Sequence, residues 1–535
     1  MSEADERGFQ RHALTVATLT LASRMGGLAR DACLSRLVGL NELTSGFTFA
    51  FLVPNLFRRL FGEGALSAAL IPEQTRLESR DPAAARRLVA VVLSGVALAL
   101  LTLLLIAESV VSLVPADAGD VGRELLPITL VYMPLVCIAA LGGAVLQVRG
   151  RFALTAAIPI ILNLCLIGSI VIAWCRSEGG VVDRDQIHLL AWGVVIAGLI
   201  QVAWTLFAVV RTRNPNAGRI DDRGRRRVRI ARRRVIYQAL PMILGLGVLQ
   251  LNTFLDGLIA SWPTFVGPTI FGMDYPLGVD AMATIAFASR LYEFPLGVFG
   301  IAIATAIFPQ LAREAGTRDR FLATVRRGLR LTLFLGIPAS AGIVLVRREF
   351  TAVVLEGNAF DLAAVEAVVA VLVPYAVALW AYSVNQLLVR AFYARRLPMV
   401  AVRIAVLVVA VNLVLNITLV FGTNLGVAGL AVSTAVCAML QSLLLSRSLS
   451  RVLGRVWDGG VIGPAVRMLL LTAIMSTAVV LVGWLLPVIS DVSTWTTALV
   501  RLLVLAATGA AVYLAGAGVL RMPELGWALG RDRRS

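Results

Sequence analysis

Three apolar stretches of the sequence contain arginine and carboxylate side chains that could bind an anion. They read SRMGGLARDACLSRLVG (23–39), FAFLVPNLFRRLFGEGALSAALIP (49–72) and FASRLYEFPLGVFGIAIATAIFP (287–309). A guanidinium matches two phosphate oxygens at once, and a water-poor cavity strengthens that contact. The pattern therefore predicts capture of an anionic, phosphorylated substrate. The arginines expected to bind it are Arg24, Arg30, Arg58 and Arg290.

The first stretch places its charges deep in an apolar helix. Arg24 lies roughly 16 Å along a span that starts near Ala13, at ~1.5 Å per residue. A central arginine costs ~2.5–3.5 kcal/mol on insertion scales, so this one should face protein or a water-filled cavity. A step of six residues rotates ~240°, which separates Arg24 from Arg30, whereas Arg24 and Asp31 nearly share a face. We expect Asp31 to hold Arg24 in place, and Arg36 to reach the membrane interface.

The second and third stretches offer pairs that could be purely structural. Arg59 and Glu63 are four residues apart, and Glu293 follows Arg290 by three, so each pair can form along one helix. Arg58 has no such partner on its own helix. Pro54 removes a backbone hydrogen bond and nearby glycines loosen the same helix, which predicts a hinge there.

A cation site is a separate hypothesis. Asp256 lies in LQLNTFLDGLIAS, and Asn412 and Asn416 are one helical turn apart. Such groups could bind Na⁺ or relay H⁺ as a coupling ion, or could simply form hydrogen bonds between helices. With two histidines in the chain, a histidine-based metal or catalytic site is not expected, and no cofactor is predicted.

The elements that carry these residues are membrane-spanning helices. The chain has 535 residues, is 58% hydrophobic and only 15% charged, and has a mean hydropathy of +0.84. Apolar runs recur along its length, which predicts an all-α polytopic membrane protein. Fourteen spans are expected, at about 13–39, 41–71, 85–114, 124–148, 153–175, 187–210, 235–262, 278–311, 324–346, 362–392, 398–421, 426–446, 462–487 and 494–520.

The charge distribution predicts the orientation. The net charge is +17 and all 49 basic residues are arginine, most of them in segments that follow the even-numbered spans. This positive-inside pattern argues against a nucleic-acid partner and predicts a multi-pass membrane protein with both termini cytoplasmic. The segment 211–234 alone holds eleven arginines and is expected to contact anionic membrane lipid. The one basic exception on the other side is VRREF, after the ninth span.

A weak internal repeat divides the chain. AALIPEQTR ends the second span and TAIFPQLAR ends the eighth, and each follows a proline and a glycine-containing stretch. Matching breaks in two halves indicate a transporter whose site lies between them. The predicted organisation is a six-helix lobe (1–212), a basic cytoplasmic linker (213–234), a second six-helix lobe (235–455) and a final helix pair with a tail (456–535).

The motifs also resemble a known family. The first two stretches, together with RLYEFPLGVFGIAIATAIFPQLAR and RAFYARRLP, resemble the MurJ (MviN) family of lipid II flippases. That family belongs to the multidrug/oligosaccharidyl-lipid/polysaccharide exporter superfamily, and the resemblance covers essentially the whole chain. It implies two lobes around a cationic cavity, with the last two helices forming a groove for the polyprenyl tail. One departure is Ser45, which stands where members usually have Asp; nearby Glu42 could substitute.

The function predicted in this way is transport without covalent chemistry. The expected substrate is lipid II or a similar polyprenyl-diphosphate glycolipid, and cell-wall synthesis proteins are candidate partners. No Walker A sequence occurs, so ATP hydrolysis is not expected. The alternatives are an exporter of another polyprenyl-linked saccharide and a non-transporting membrane scaffold for cell-wall enzymes. An arginine-rich cavity would repel a cationic drug, and no segment between spans is long enough for a soluble enzyme domain.

Overall fold

The computed structural model describes residues 3–62, 64–113, 121–177, 180–212, 218, 220–486 and 495–529. These residues are overwhelmingly helical, which confirms the predicted fold class. In the described part, strand structure is confined to a hairpin of β1 (Thr269–Ile270) and β2 (Met273–Asp274), paired antiparallel. The chain divides into two compact units. Unit 1 is Met1–Ala283 with Gly357–Ala359, and unit 2 is Thr284–Glu356 with Phe360–Ser535.

Unit 1 contains ten helices among its described residues, and the eleventh begins at its end. Its helices are α1 (Glu3–Leu37), α2 (Glu42–Phe57), a π-helical turn (Arg58–Gly62), α3 (Ala65–Arg80), α4 (Pro82–Leu113), α5 (Val121–Leu130), α6 (Tyr132–Val148), α7 (Phe152–Ala156), α8 (Ile158–Arg176), α9 (Arg184–Arg211) and α10 (Asp222–Phe265). Their apolar faces pack into a core that includes Leu70, Leu88 and Val145.

Unit 2 consists of helices from α11 onward. They are α11 (Ala281–Pro295), a π-helical turn (Leu296–Ile301), α12 (Ala302–Glu314), α13 (Arg318–Leu345), α14 (Arg347–Leu355), α15 (Leu362–Val377), α16 (Leu379–Ala394), α17 (Pro398–Gly422), α18 (Val427–Leu453), α19 (Gly459–Leu485), α20 (Trp495–Val519) and α21 (Pro523–Ala528). The final long helices belong to its core, where the Tyr513 hydroxyl donates to the carbonyl oxygen of Phe334 at 2.9 Å.

The number of spans is lower than predicted when it is judged by length and apolarity. Eight helices among the described residues could cross a membrane, or ten if each of two bent pairs, α5–α6 and α15–α16, is one span. The count of fourteen is therefore not confirmed. The four predicted spans outside this set are 13–39, 41–71, 235–262 and 278–311. They are also the ones that carry nearly all the charged candidate residues.

The predicted basic linker is largely part of a helix. Residues 222–234 form the beginning of α10, whose first turn is capped by the Asp221 carboxylate accepting from the Gly224 backbone N–H at 2.6 Å. Val228, Ala231 and Val235 are buried in the core of unit 1, at a three-to-four-residue spacing that suits one helix face. The arginines between them remain outside that core. Residues 213–217 and 219 lie outside the described residues, and the predicted domain boundaries stay a prediction.

The basic exception after the ninth span is balanced by carboxylates. Arg348 Nε lies 2.6 Å from an oxygen of Glu366. The next residue, Glu349, accepts from Arg501 Nε on α20, also at 2.6 Å. Both ion pairs lie within unit 2. Positive-inside counting depends on Lys and Arg and gives little weight to carboxylates, so VRREF stays the basic exception to the predicted pattern.

Both proline-containing candidate spans are broken by a π-helical turn. Pro54 is buried in α2, four residues before the turn 58–62, and Pro295 ends α11 immediately before the turn 296–301. Proline lacks the backbone N–H that an α-helix needs, and π-helical turns commonly mark functional sites. The hinge predicted for the second span therefore coincides with an observed break, and the eighth span has its own.

Candidate functional site

Arg30 is the most strongly held of the candidate arginines. Its Nη2 and Nε donate to the same oxygen of Asp31, at 2.6 and 2.9 Å, and its side chain is only 13% exposed. Its Nη1 also donates to Asn163 Oδ1 on α8, at 3.4 Å. The Asn163 amide in turn donates to the carbonyl oxygen of Ser23 at 3.0 Å. Side chains of α1 and α8 therefore hold the Arg30 guanidinium in place. Because the guanidinium is already ordered, it would lose little conformational entropy when it binds an anion.

Arg24 has a different environment from the one predicted. It is exposed, and none of the ion pairs or hydrogen bonds found among the described residues includes it. The expected contact with Asp31 is wrong, because Asp31 is taken by its neighbour Arg30. A guanidinium without a carboxylate partner keeps its hydrogen-bonding capacity for a ligand. The backbone carbonyl oxygen of Arg36 accepts from the Ala359 N–H at 2.9 Å, and the expected reach of its side chain to the membrane interface stays a prediction.

The two arginines of the second span lie on its π-helical turn. Arg58 Nε donates to Asn55 Oδ1 at 2.9 Å, and Arg59 Nη1 donates to Gln250 Oε1 on α10 at 3.3 Å. The expected partner of Arg59, Glu63, lies outside the described residues. The acceptors described for both guanidiniums are therefore the side-chain oxygens of neutral amides.

Arg290 forms the short-range pair that its spacing predicts. Its Nη1 lies 3.1 Å from Glu293 Oε2, and the two side chains are 38% and 42% exposed. An exposed pair of this kind contributes little stability. Arg290 belongs to unit 2, whereas the other three binding candidates belong to unit 1. Their gathering in one cavity therefore stays a prediction.

The predicted cation-site residues lie in two separate hydrogen-bond groups. In unit 1, the carboxylate of Asp256 is buried and accepts from Asn252 Nδ2 at 3.3 Å. In unit 2, Asn416 Nδ2 donates to Asn412 Oδ1 and Asn412 Nδ2 donates to Ser433 Oγ, both at 3.0 Å. The Ser433 hydroxyl closes this ring on Asn416. The amides thus join α17 to α18, and cation binding stays a prediction.

Ser45 has a structural task that its family position did not reveal. Its side chain is fully buried, and its Oγ accepts from the Ala283 backbone N–H, 3.1 Å away in the first turn of α11. The first N–H groups of a helix have no partner within the helix, and a carboxylate or a hydroxyl can accept from them. Serine therefore fulfils the hydrogen-bonding part of what aspartate would do here, without its charge. Glu42 lies in the first turn of α2.

Replacing Ser45 by alanine should lower the free energy of unfolding by about 1–3 kcal/mol, because a buried N–H loses its acceptor. Thermal unfolding of the purified protein in detergent measures this. Ser289→Ala is the matched control, since the hydrogen bond of the Ser289 hydroxyl within the described part of the chain goes to the Ala286 carbonyl oxygen of its own helix. Equal unfolding temperatures for the two variants would contradict a capping role.

Asn163 is the site residue that inspection of the charged stretches missed. It is an isolated amide in the apolar run IILNLCLIG, and 133 residues separate it from Arg30. A polar side chain within an apolar span marks a helix-facing or functional position, so the signal was present in the sequence. Its partner could not be assigned because the pairing depends on how α8 packs against α1.

Comparisons with known proteins identify the family of the chain. The family described as lipid II flippase MurJ matches residues 34–505. A probable lipid II flippase MurJ of Rhizobium meliloti is 30% identical over 522 residues, covering 94% of this chain and 92% of the relative. One from Vibrio cholerae is 30% identical and covers 80% of each chain.

Two solved structures show the same fold. A lipid II flippase MurJ in an inward closed conformation matches with a TM-score of 0.74 at 19% identity, covering 95% of this chain and 98% of that one. An inward-facing multidrug resistance transporter of the MATE family, from the MOP superfamily, matches with a TM-score of 0.58 at 12% identity. It covers 85% of this chain and 98% of its own. Together these likenesses confirm the fold class that the sequence predicts.

Proposed function

Because the chain belongs to the lipid II flippase MurJ family, we propose that it moves lipid II from the cytoplasmic to the periplasmic leaflet of the bacterial inner membrane. The observation that carries the proposal in the structure is the contrast between two arginines on α1. Arg30 is held by Asp31 and Asn163, whereas Arg24 is exposed and takes part in none of the ion pairs of the described residues. One cation is fixed in position and the other is left for an anionic ligand.

The diphosphate of the head group would be bound by the arginines. Each hydrogen bond from a guanidinium to a charged oxygen contributes roughly 1.5–3 kcal/mol. Arg24 and Arg30 would supply the contacts on α1, and Arg58 would add one from the π-helical turn. Arg290 would join them by exchanging its exposed Glu293 partner for phosphate. The sugar and peptide would follow the diphosphate into the cavity.

The polyprenyl tail would remain in an apolar environment throughout. The helix pair α19 and α20 presents exposed apolar side chains, among them Leu469, Leu470 and Leu503. These surfaces suit a long hydrocarbon chain that need not leave the membrane. Because the tail would leave lipid rather than water, the contact would contribute van der Waals packing and little hydrophobic free energy.

Alternating access would use the two π-helical turns as hinges. A turn of this kind has weaker and fewer regular backbone bonds than an α-helix, and it therefore bends at lower cost. Membrane potential could bias the cycle, at ~2.3 kcal/mol per charge moved through 100 mV. Na⁺ or H⁺ remains the candidate coupling ion, with Asp256 in unit 1 and the pair Asn412 and Asn416 in unit 2 as separate candidate positions for it. Both termini would be cytoplasmic.

Two other functions compete with this proposal. An exporter of a different polyprenyl-linked saccharide would use the same arginines, since the diphosphate is common to both substrates. A membrane scaffold for cell-wall enzymes would need the arginines only as ion-pair partners. The exposed, unpaired state of Arg24 favours transport over the scaffold.

Depletion of the protein in its host tests the proposal. Lipid II in each leaflet is measured with an impermeant enzyme that modifies only the outward-facing head group. We expect lipid II to accumulate in the inner leaflet within one generation. Renewed expression of the wild-type protein should restore its arrival in the outer leaflet. Normal arrival of lipid II in the outer leaflet would overturn the proposal. A block confined to another polyprenyl-linked saccharide would support the first alternative.

A further inference from the structure

A groove in unit 2 lies apart from every residue discussed so far as a binding candidate. It has a volume of about 550 Å³ and is bounded by α16, α18 and the turn after α18. Sites for small ligands commonly enclose 300–1,000 Å³. None of its lining residues belongs to α19 or α20, so the groove differs from the surface proposed for the polyprenyl tail.

The lining of the groove changes from apolar to cationic along α18. Met439 and Leu443 line one part, followed at four-residue intervals by Arg447 and Arg451. Residues four apart lie above one another on a helix, about 6 Å apart at 1.5 Å per residue. Trp380 extends the apolar part from α16. An occupant that fits both parts must itself have an apolar portion and an anionic portion.

The two arginines carry uncompensated charge into the groove. Both are exposed, and neither takes part in an ion pair or hydrogen bond found among the described residues. The acidic residue close to them in sequence, Asp458, lies 2.9 Å from Arg326 Nη1 and is thus already paired. The cationic part therefore offers two guanidiniums, which suit a phosphate group.

A buried hydroxyl in the groove also lacks a partner. Ser446 is 5% exposed, and its Oγ has no hydrogen-bond partner among the described atoms. The neighbouring serines are satisfied. Ser442 donates to the Ala381 carbonyl oxygen at 3.1 Å, and Ser450 Oγ accepts from the Val456 N–H at 3.2 Å. An unsatisfied buried hydroxyl is unfavourable, and a ligand that bonds to it would remove that penalty.

We propose that this groove binds one anionic phospholipid. Arg447 and Arg451 hold its phosphate, Ser446 donates to a head-group oxygen, and an acyl chain lies along Leu443 and its apolar neighbours. Trp457 closes the cationic end, and tryptophan is typical of the membrane interface, where a phospholipid head group lies. The proposal is independent of lipid II transport, because it uses none of the residues assigned to that substrate.

Native mass spectrometry of the purified full-length protein tests the proposal. The protein is stripped of lipid in detergent and titrated with phosphatidylglycerol or with zwitterionic phosphatidylethanolamine. We expect one tightly retained phosphatidylglycerol, with at least tenfold weaker retention of phosphatidylethanolamine. The double variant R447Q/R451Q should bind phosphatidylglycerol roughly thirtyfold more weakly, from about 1 kcal/mol per arginine. Ser446→Ala should weaken it severalfold.

Two further variants test whether the position of the arginines matters, and whether the apolar part of the groove contributes to lipid binding. The matched control R320Q/R403Q removes two exposed arginines of unit 2 that lie outside the groove, and it should bind like wild type. Leu443→Trp fills the apolar part without changing charge and should also weaken phosphatidylglycerol binding tenfold or more. It keeps the test valid if the arginine variant fails to fold.

Three results would overturn the proposal. The first is equal phosphatidylglycerol affinity in wild type and in R447Q/R451Q. The second is equal competition by phosphatidylethanolamine, which would leave no role for charge. The third is displacement by soluble glycerol phosphate at the concentration of the lipid, which would assign the groove to a free phosphoester.

Discussion

An Arg24→Ala variant should translocate lipid II about ten- to a hundredfold more slowly than wild type while unfolding at the same temperature. The loss corresponds to one charge-assisted hydrogen bond to the diphosphate, at roughly 1.5–3 kcal/mol. Stability should not change, because Arg24 is exposed and forms no ion pair within the described residues. Purified protein in liposomes, with lipid II supplied in one leaflet, gives the rate.

Arg403→Ala is the matched control, since Arg403 is an exposed arginine on α17 outside the candidate site. It should transport at the wild-type rate. Arg58→Lys keeps the charge but loses the two-pronged geometry, and we expect an intermediate rate. If both Arg24→Ala and Arg58→Lys moved the head group normally, the phosphate cavity would not exist and the scaffold alternative would gain support.

Replacing Arg501 by methionine should lower the free energy of unfolding by about 3–5 kcal/mol. Arg501 donates to Glu349 at 2.6 Å, and these side chains are only 15% and 8% exposed. Without the arginine, the carboxylate of Glu349 stays buried with its charge uncompensated. Arg501 Nη1 also donates to the Leu486 carbonyl oxygen at 3.0 Å, so the end of α19 loses a cap. Thermal and denaturant unfolding in detergent measure the change.

A second substitution identifies the cause of that loss. The double variant Glu349→Gln with Arg501→Met removes the stranded charge and should recover much of the stability. Arg184→Met is the exposed comparison, because Arg184 and Glu124 also lie 2.6 Å apart but are 42% and 41% exposed. It should cost no more than about 1 kcal/mol. An Arg501→Met variant as stable as Arg184→Met would show that the buried pair is not special.

The sequence predicts the apolar helices well because their signal is local. The expected spans 398–421 and 494–520 correspond to α17 (Pro398–Gly422) and α20 (Trp495–Val519) to within one residue at each end. The hydropathy of consecutive residues is enough to locate such helices. It fails to describe 222–234, where arginines mask the buried spacing of Val228 and Val235 and hide the start of α10.

In the candidate site, too, some contacts within one helix could be predicted from the sequence, whereas contacts between helices could not. The Arg290–Glu293 pair follows from helical spacing and is present. Helical spacing predicts the wrong partner for Asp31. It favours Arg24, two turns away, whereas the flexible side chain of the adjacent Arg30 forms the ion pair. Asn163 and Gln250 approach their arginines only through the packing of α8 and α10, which spacing within one helix does not encode.

The charged residues of α1 affect how this helix inserts into the membrane during synthesis. An arginine at the centre of a helix opposes insertion by ~2.5–3.5 kcal/mol, so α1 enters lipid poorly on its own. Its polar partner Asn163 lies on α8 and is synthesised more than a hundred residues later. Arg30 of α1 therefore acquires this partner only after α8 has been made. Substitution of Asn163 should lower the yield of inserted protein before it affects any transport step.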